Sequence, residues 1–374
     1  MDKEKLHDQV INYKPQMTDE ERLEKYMRGE RVDHLPFYIR GFDQVYGHIM
    51  GYSTAQMIED FDIFSKLVQK RIEAYHIDGI NFAFALTLIG DVCGSDLYFT
   101  DGNCYFADHF LMADKKIDMS KVALPDPKKN PALKIVIEIG KKIREKFPNQ
   151  KIIATFPAPF TTAATLRPLE KLLRDVRKDP QGLKELMEFS KDCGLKWTEV
   201  FQKVFGPNVS VSLIDPATST DLLRPKQFDE FSLPYLRDLV DGIVKITGNK
   251  PPIHMCGGIK DYWDRLYDLN ISSISVDNLE SLSETKEAFG DKITIEGNVP
   301  TLDVLLQGSP EDVIKAVKNC IINGADSPKG YVISTGCVSE VNTPPENLDA
   351  FIYAVRKYSA GAKLGEIPEA VYQD

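Results

Sequence analysis

The sequence predicts an α/β protein built as a single (β/α)8 barrel, with a helical extension at its N-terminus. Eight short apolar segments suited to β-strands alternate with segments of helical periodicity. Strands that alternate with helices pair in parallel, and eight of them within roughly 340 residues are typical of a closed barrel. We expect residues 1–30 to form the helical extension and residues 31–374 to form the catalytic barrel domain.

The eight predicted strands are short and are followed by helices or loops. They cover residues 34–39, 79–86, 151–156, 209–214, 251–256, 271–276, 292–297 and 330–335. The longer predicted helices cover residues 54–76, 131–147, two helices across 165–206, then 225–246, 280–289, helices across 300–324, and 345–358. Residues 87–130 are irregular and suggest a hairpin excursion. The alternative fold is an open doubly wound sheet, which loses support because no glycine-rich nucleotide-binding motif follows the first strand.

Charge and composition exclude several classes of partner. The net charge of −10 argues against a nucleic acid, which needs a basic surface. No apolar stretch approaches the roughly 20 residues that a membrane span needs, and the N-terminus has no signal-peptide pattern. We therefore expect a cytoplasmic protein with no membrane partner. Its six cysteines follow no disulfide or zinc-knuckle spacing.

Two side chains on the fifth predicted strand suggest a metal site. His254 and Cys256 are two residues apart, so in an extended chain they point to the same side. The active site of a (β/α)8 barrel lies at the carboxyl ends of its strands, and the eighth strand delivers Cys337 to that end. A histidine with two cysteines favours zinc over magnesium or calcium. The alternative is that these residues only fill the core.

Other polar residues follow the predicted strands. Arg40 is a candidate for holding an anionic group of the substrate, or alternatively for an ion pair at the barrel rim. Asp215, Glu296 and Asn298 are candidates for orienting the metal ligands or the substrate, or alternatively for capping helices and anchoring loops. Phe84 belongs to a set of phenylalanines that line either an aromatic substrate pocket or the core. The set is completed by Phe82, Phe106 and Phe156.

The sequence resembles the uroporphyrinogen decarboxylase superfamily over nearly its whole length. Five segments carry the resemblance: "FPAPFTTAATL" (156–166), "DPATSTDLLRPKQFDEFSLPYL" (215–236), "HMCGG" (254–258), "SVDN" (275–278) and "EGNVPT" (296–301). Within this superfamily, His-x-Cys-Gly after the fifth strand and a late Gly-Cys mark the zinc-dependent corrinoid methyltransferases, which include the methylcobalamin:coenzyme M enzymes. The resemblance implies a TIM barrel, with His254, Cys256 and Cys337 as zinc ligands and Asp277 as an exchangeable fourth ligand.

Two positions depart from the decarboxylases of the superfamily. Their early segment carries two arginines, whereas "YIRGFDQVYG" here has only Arg40. Ala85 stands where their aspartate is expected. A porphyrinogen with many carboxylates needs several cations, so these departures argue against porphyrinogen decarboxylation.

The predicted function is therefore zinc-dependent transfer of a methyl group between a corrinoid on a partner protein and a small substrate. That substrate is either a thiol such as coenzyme M or, in the demethylating direction, a methyl ether or methanol. We expect Asp277, Glu296 and Arg40 to serve catalysis, and Asp215, Asn298 and Phe84 to bind substrate. The alternatives are a cofactor-free decarboxylase and a non-catalytic partner of a corrinoid protein with structural zinc.

Overall fold

The chain forms two compact units. The computed structural model describes residues 2–82, 85–99, 105–114, 116–206 and 209–373. The first unit consists chiefly of Met1–Gly79 and Ser273–Asp374, and the second chiefly of Ile80–Thr100 and Cys104–Ser272. The predicted boundary between a helical extension and a barrel at residue 30 stays a prediction.

Eight parallel strands form the framework of the fold. The strands of the described residues, in chain order, are β1 (Phe37–Tyr38), β2 (Ile80–Phe82), β3 (Asp96–Phe99), β4 (Tyr105–His109), β5 (Ile152–Pro157), β6 (Val209–Asp215), β7 (Ile253–Met255), β8 (Ser273–Val276), β9 (Thr294–Val299) and β10 (Tyr331–Thr335). β3 and β4 form an antiparallel hairpin. In the first unit the parallel order is β1-β10-β9-β8, and in the second it is β2-β5-β6-β7. The predicted α/β class with eight parallel strands is confirmed.

Two helices precede the first strand, and the remaining helices lie between and after the strands. They are α1 (Lys3–Ile11), α2 (Asp19–Met27), α3 (Phe42–Ile49), α4 (Thr54–Glu59), α5 (Phe61–Tyr75), α6 (Ala85–Cys93), α7 (Pro131–Lys146), α8 (Pro159–Leu166), α9 (Leu169–Lys178), α10 (Pro180–Phe205), α11 (Pro225–Phe231), α12 (Leu233–Thr247), α13 (Trp263–Leu266), α14 (Leu282–Phe289), α15 (Pro310–Gly324) and α16 (Pro345–Tyr358). Six of them begin at a proline, where the missing N–H costs nothing. Among the described residues, no helix is both long and apolar enough to cross a lipid bilayer.

Helix boundaries differ from the prediction in several places. The strand predicted over 79–86 ends at Phe82, and α6 starts at Ala85, inside the predicted strand, and continues to Cys93 in the stretch expected to be irregular. Residues 165–206 carry parts of three helices rather than two. The single helix expected over 225–246 breaks at Ser232, because Pro234 lacks the N–H that a continuous helix would need there. The helix predicted over 54–76 breaks at Asp60, whose side chain instead accepts hydrogen bonds at the start of α5.

Buried arginines hold the N-terminal helices in place within the first unit. The side chain of Arg22 donates to Asp33 at 2.7 Å and to Asp19 at 2.6 Å. Arg356 on α16 donates to the carbonyl of Val10 at 2.9 Å, at the end of α1. Arg22 thereby joins α2 to Asp33 in the segment that follows it, and Arg356 joins α1 to α16.

The second unit contains a fully buried ion pair. The guanidinium of Arg167, just after α8, donates to the carboxylate of Asp175 on α9. Its Nη1 also donates to the carbonyl oxygens of Met112 at 2.8 Å and Asp114 at 3.0 Å. The pair therefore holds the segment around residues 112–114 against the second unit's helices.

Removing the carboxylate of this pair should be costly. In the Asp175→Ala variant the Arg167 charge stays buried without its partner, so the free energy of unfolding should fall by roughly 3–5 kcal/mol. The matched control is Glu230→Ala, which removes an exposed pair with Lys184 and should cost at most about 1 kcal/mol. Urea unfolding followed by circular dichroism measures both changes. Equal losses in the two variants would contradict this account of the pair.

Candidate metal site and its surroundings

The donor atoms of His254 and Cys256 lie side by side in the second unit. His254 lies on β7, opposite Ile214 of β6 in the parallel register, and its side chain is buried. Cys256 follows the strand and is half-buried. His254 Nε2 lies 3.1 Å from Cys256 Sγ. The predicted same-side placement of these two side chains is confirmed.

A glycine directly after Cys256 shapes the turn. Gly257 has a φ of +73°, and a Cβ on it would lie 2.8 Å from the Cβ of Ser219. The next carbonyl, that of Gly258, accepts hydrogen bonds from Thr220 N at 2.9 Å and Thr220 Oγ1 at 3.0 Å. The loops after β6 and β7 are therefore locked together, and this fixes the chain that carries Cys256.

Asp215 ends β6 in a buried polar pocket. Thr161 Oγ1, on α8, donates to Asp215 Oδ1 at 2.6 Å and accepts from Ala217 N at 3.2 Å. No partner of Asp215 Oδ2 is found in the described part of the chain. Burial raises the pKa of the Asp215 carboxyl to about 6, although the hydroxyl of Thr161 opposes that rise. Thr161 was missed by sequence reasoning, although it lies in one of the segments that carry the family resemblance.

Arg40 and Glu296 form an ion pair in the first unit. Arg40 Nη2 lies 3.2 Å from Glu296 Oε2, and both side chains are at most 15% exposed. The other carboxylate oxygen of Glu296 accepts from Ser273 Oγ on β8. The guanidinium also lies over the ring of Tyr38, 5.3 Å from its centroid. Arg40 was expected either to hold an anionic group of the substrate or to form an ion pair, and the ion pair is present. Ser273 was not foreseen, because nothing in the sequence links it to Glu296.

Cys337 follows β10 on a segment held by backbone contacts. Thr335 Oγ1 donates to the carbonyl of Cys337 at 2.8 Å and accepts from Arg40 N at 3.0 Å. Gly336 N donates to the carbonyl of Val299 at 2.8 Å. These contacts fix the backbone that carries Cys337 at the carboxyl end of its strand, as predicted. The Cys337 side chain is half-buried.

Asp277 directly follows β8, and Asn298 lies on β9, one residue before the end of that strand. Asp277 Oδ1 accepts from Leu279 N at 3.0 Å. Asn298 Nδ2 donates to the carbonyl oxygens of Asp277 at 3.0 Å and Glu280 at 2.8 Å. Asn298 is therefore a loop anchor, one of the two roles considered for it, and its role in substrate binding stays a prediction.

The expected aromatic lining is only partly described. Phe84 lies outside the described residues, and nothing is described of the side chains of Phe82 and Phe106. Phe156 is fully buried and its ring centroid lies 6.1 Å from that of Phe201. Phe156 is therefore core packing, the alternative considered for this set of phenylalanines.

A comparison with models of protein families identifies the family of this chain. The model of the uroporphyrinogen decarboxylase (URO-D) family matches residues 18–358. The chain belongs to this family. The resemblance that the sequence motifs suggested is thereby confirmed.

Relatives of the chain are named for two different reactions, methyl transfer and decarboxylation. The chain is 24% identical over 301 residues to the methylcobamide:CoM methyltransferase MtaA of Methanosarcina barkeri, covering 80% of this chain and 85% of the relative. It is 23% identical over 356 residues to the uroporphyrinogen decarboxylase of Vibrio campbellii, covering 90% and 97%. Both relatives are named as enzymes, so the family is enzymatic.

A solved structure confirms the fold. A methyltransferase from Methanosarcina mazei superposes with a TM-score of 0.77 at 20% sequence identity, covering 92% of this chain and 100% of that one. Likeness at this level of identity establishes the fold alone. The predicted (β/α)8 fold class of the uroporphyrinogen decarboxylase type is confirmed.

The turn after Cys256 can be tested with two glycine variants. Gly257→Ala and Gly248→Ala both place a side chain at positive φ, which costs about 1–2 kcal/mol of folding free energy. Only Gly257→Ala also pushes a Cβ against Ser219, which should add roughly 1–3 kcal/mol. The Cβ at Gly248 meets nothing within 4 Å. Urea unfolding compares the two variants, and equal losses would show that the loop around Ser219 does not constrain this turn.

Proposed function

We propose that this protein is a zinc-dependent methyltransferase that moves a methyl group between a corrinoid carried by a partner protein and a small substrate. The observation that carries the proposal is the pair of donor atoms His254 Nε2 and Cys256 Sγ, 3.1 Å apart at the carboxyl end of β7. The methylcobamide:CoM methyltransferase among the relatives supports the same chemistry.

The donor atoms fit a zinc ion. A nitrogen and a sulfur bound to one zinc in a tetrahedral arrangement lie about 3.6 Å apart, so a small rotation of the Cys256 side chain suffices. We propose Cys337 as the third ligand, because one imidazole nitrogen and two thiol sulfurs form a soft set that suits zinc. When bound, zinc would supply Lewis-acid chemistry, which lowers the pKa of a substrate thiol or polarises an ether oxygen.

The chain's own side chains position these ligands and the substrate. His254 must bind as the neutral imidazole, and both cysteine sulfurs must lose their protons. We propose that Asp277 completes the ligand set as an exchangeable carboxylate, and that Arg40 and Glu296 act as a pair near the substrate. Because Glu296 is held by Ser273 and Arg40, its carboxylate is oriented before substrate arrives.

Asp215, Asn298 and Phe84 are our proposed substrate-binding residues. The buried carboxyl of Asp215 has its Oδ1 committed to Thr161, which leaves Oδ2 for a polar group. Asn298 has its amide nitrogen committed to two carbonyl oxygens, and its Oδ1 faces the Cys320 sulfur at 3.9 Å, so a substrate contact would have to share Oδ1 with that thiol. Substrate classes consistent with this proposal are a small thiol such as coenzyme M, and methanol or a methyl ether in the demethylating direction.

Zinc content tests the ligand set. The purified protein should hold about one zinc per chain, and Cys337→Ala or Cys256→Ala should lower that content well below half. Cys93→Ala is the matched control, since Cys93 is also half-buried, and it should keep its zinc. Atomic emission spectroscopy gives the stoichiometry. A Cys337→Ala protein with a full equivalent of zinc would rule out the proposed third ligand.

Methyl transfer tests the reaction. Methylcobalamin, standing in for the corrinoid protein, should lose its methyl group to one member of a panel of thiols, and Cys337→Ala should slow that loss by roughly 100-fold or more. Removing zinc with a chelator should abolish turnover, and adding zinc back should restore it. The colour change of the corrinoid follows the reaction. Porphyrinogen decarboxylation that persists in chelator would instead establish the decarboxylase alternative, and a zinc-loaded protein inactive in both assays would favour a structural zinc.

A further inference from the structure

Two cysteines that the proposed reaction does not use lie in contact in the second unit. Cys93 is the last residue of α6, and Cys193 lies inside α10. Their Sγ atoms are 3.9 Å apart, although the residues are 100 positions apart in the sequence. Among the described residues, no group of three potential metal ligands includes either cysteine.

The two thiols differ in access. Cys193 is fully buried, whereas Cys93 is half-buried, so a small reagent reaches Cys93 first. The contact with Cys93 and burial both raise the pKa of the Cys193 thiol, so Cys193 holds its proton more firmly than an exposed cysteine does. This gives the pair an outer sulfur that meets reagents and an inner sulfur held against it.

The backbone on both sides of the pair is held in place. The carbonyl of Val92 accepts from Asn130 Nδ2 at 2.7 Å, and the N–H of Ser95 donates to the carbonyl of Gly90 at 2.8 Å. Cys193 lies in the middle of a 26-residue helix. Forming a bond of about 2.05 Å from the observed separation therefore depends chiefly on rotation of the two cysteine side chains.

We propose that Cys93 and Cys193 form a reversible disulfide, a redox-modification site that shares no residue with the proposed zinc ligands. Cys93 gives up its proton to solvent, and its thiolate attacks one sulfur of a low-molecular-mass disulfide; the small S–S bond breaks, a mixed disulfide forms, and the expelled small thiolate takes up a proton to leave as a thiol. The Cys193 sulfur then attacks the Cys93 sulfur, its proton passes to the departing thiolate, and a second small thiol leaves. Two protein thiols are oxidised and one small disulfide is reduced to two thiols.

The bond would join α6 to α10 across a loop of 100 residues. Closing a loop of this length restricts the unfolded chain, so the melting temperature of the oxidised protein should rise by roughly 5–10 °C. Dithiothreitol should return it to the value of the reduced protein.

The experiment uses the whole 374-residue chain, loaded with zinc, incubated with glutathione disulfide and then alkylated in denaturant. Peptide mass spectrometry without reduction should find Cys93 linked to Cys193 in most molecules. Cys320 is an internal control: it is buried and its sulfur lies against Asn298, and it should remain a free thiol. In the Cys193→Ala variant, Cys93 should stop at the mixed disulfide with glutathione.

Three results would overturn the proposal. They are an unreacted pair, a wild-type protein that stops at the mixed disulfide, and a bond from Cys93 to any other cysteine. If Cys193→Ala does not fold, Cys93→Ser replaces it. In that variant Cys193 should stay reduced throughout, because the outer sulfur that meets the reagent is gone.

Discussion

The proposed site depends on one geometric constraint, the two-residue spacing of His254 and Cys256 at the end of a parallel strand. An extended chain points alternate side chains to one side, which places an imidazole nitrogen beside a sulfur at 3.1 Å. Gly257 then turns the chain at positive φ, close against Ser219. Because glycine has no side chain, the turn brings no Cβ into this contact. Backbone geometry thus builds the donor pair before any metal arrives.

The polar residues of the first unit form a connected set rather than a collection of free groups. Glu296 is shared between Arg40 and Ser273, while Thr335 links the backbone of Arg40 to that of Cys337. A buried charge is tolerable when it is paired and hydrogen-bonded, and these contacts provide that pairing. The same pairing restrains Arg40, so a substrate anion would have to compete with Glu296 for the guanidinium.

Sequence reasoning located the strands well, because short apolar runs between helical segments have few other interpretations. It also placed His254, Cys256 and Cys337 at strand ends, since the two-residue spacing and the barrel rule need no tertiary information. Helix breaks were harder, because the break at Ser232 depends on how Pro234 joins two helices. Thr161 beside Asp215 and Cys93 beside Cys193 were not predictable, since each pair is distant in sequence and only packing brings it together.

Relatives in the family are named for methyl transfer and for decarboxylation, and the adjacent donor atoms of His254 and Cys256 support our proposal of methyl transfer. The most direct test is X-ray absorption at the zinc edge, with and without a substrate thiol. We expect one nitrogen and two sulfur neighbours at roughly 2.1 and 2.3 Å, and one further sulfur when the thiol binds. A zinc ion surrounded only by nitrogen and oxygen, or a closed site that gains no sulfur, would contradict the proposed ligand set.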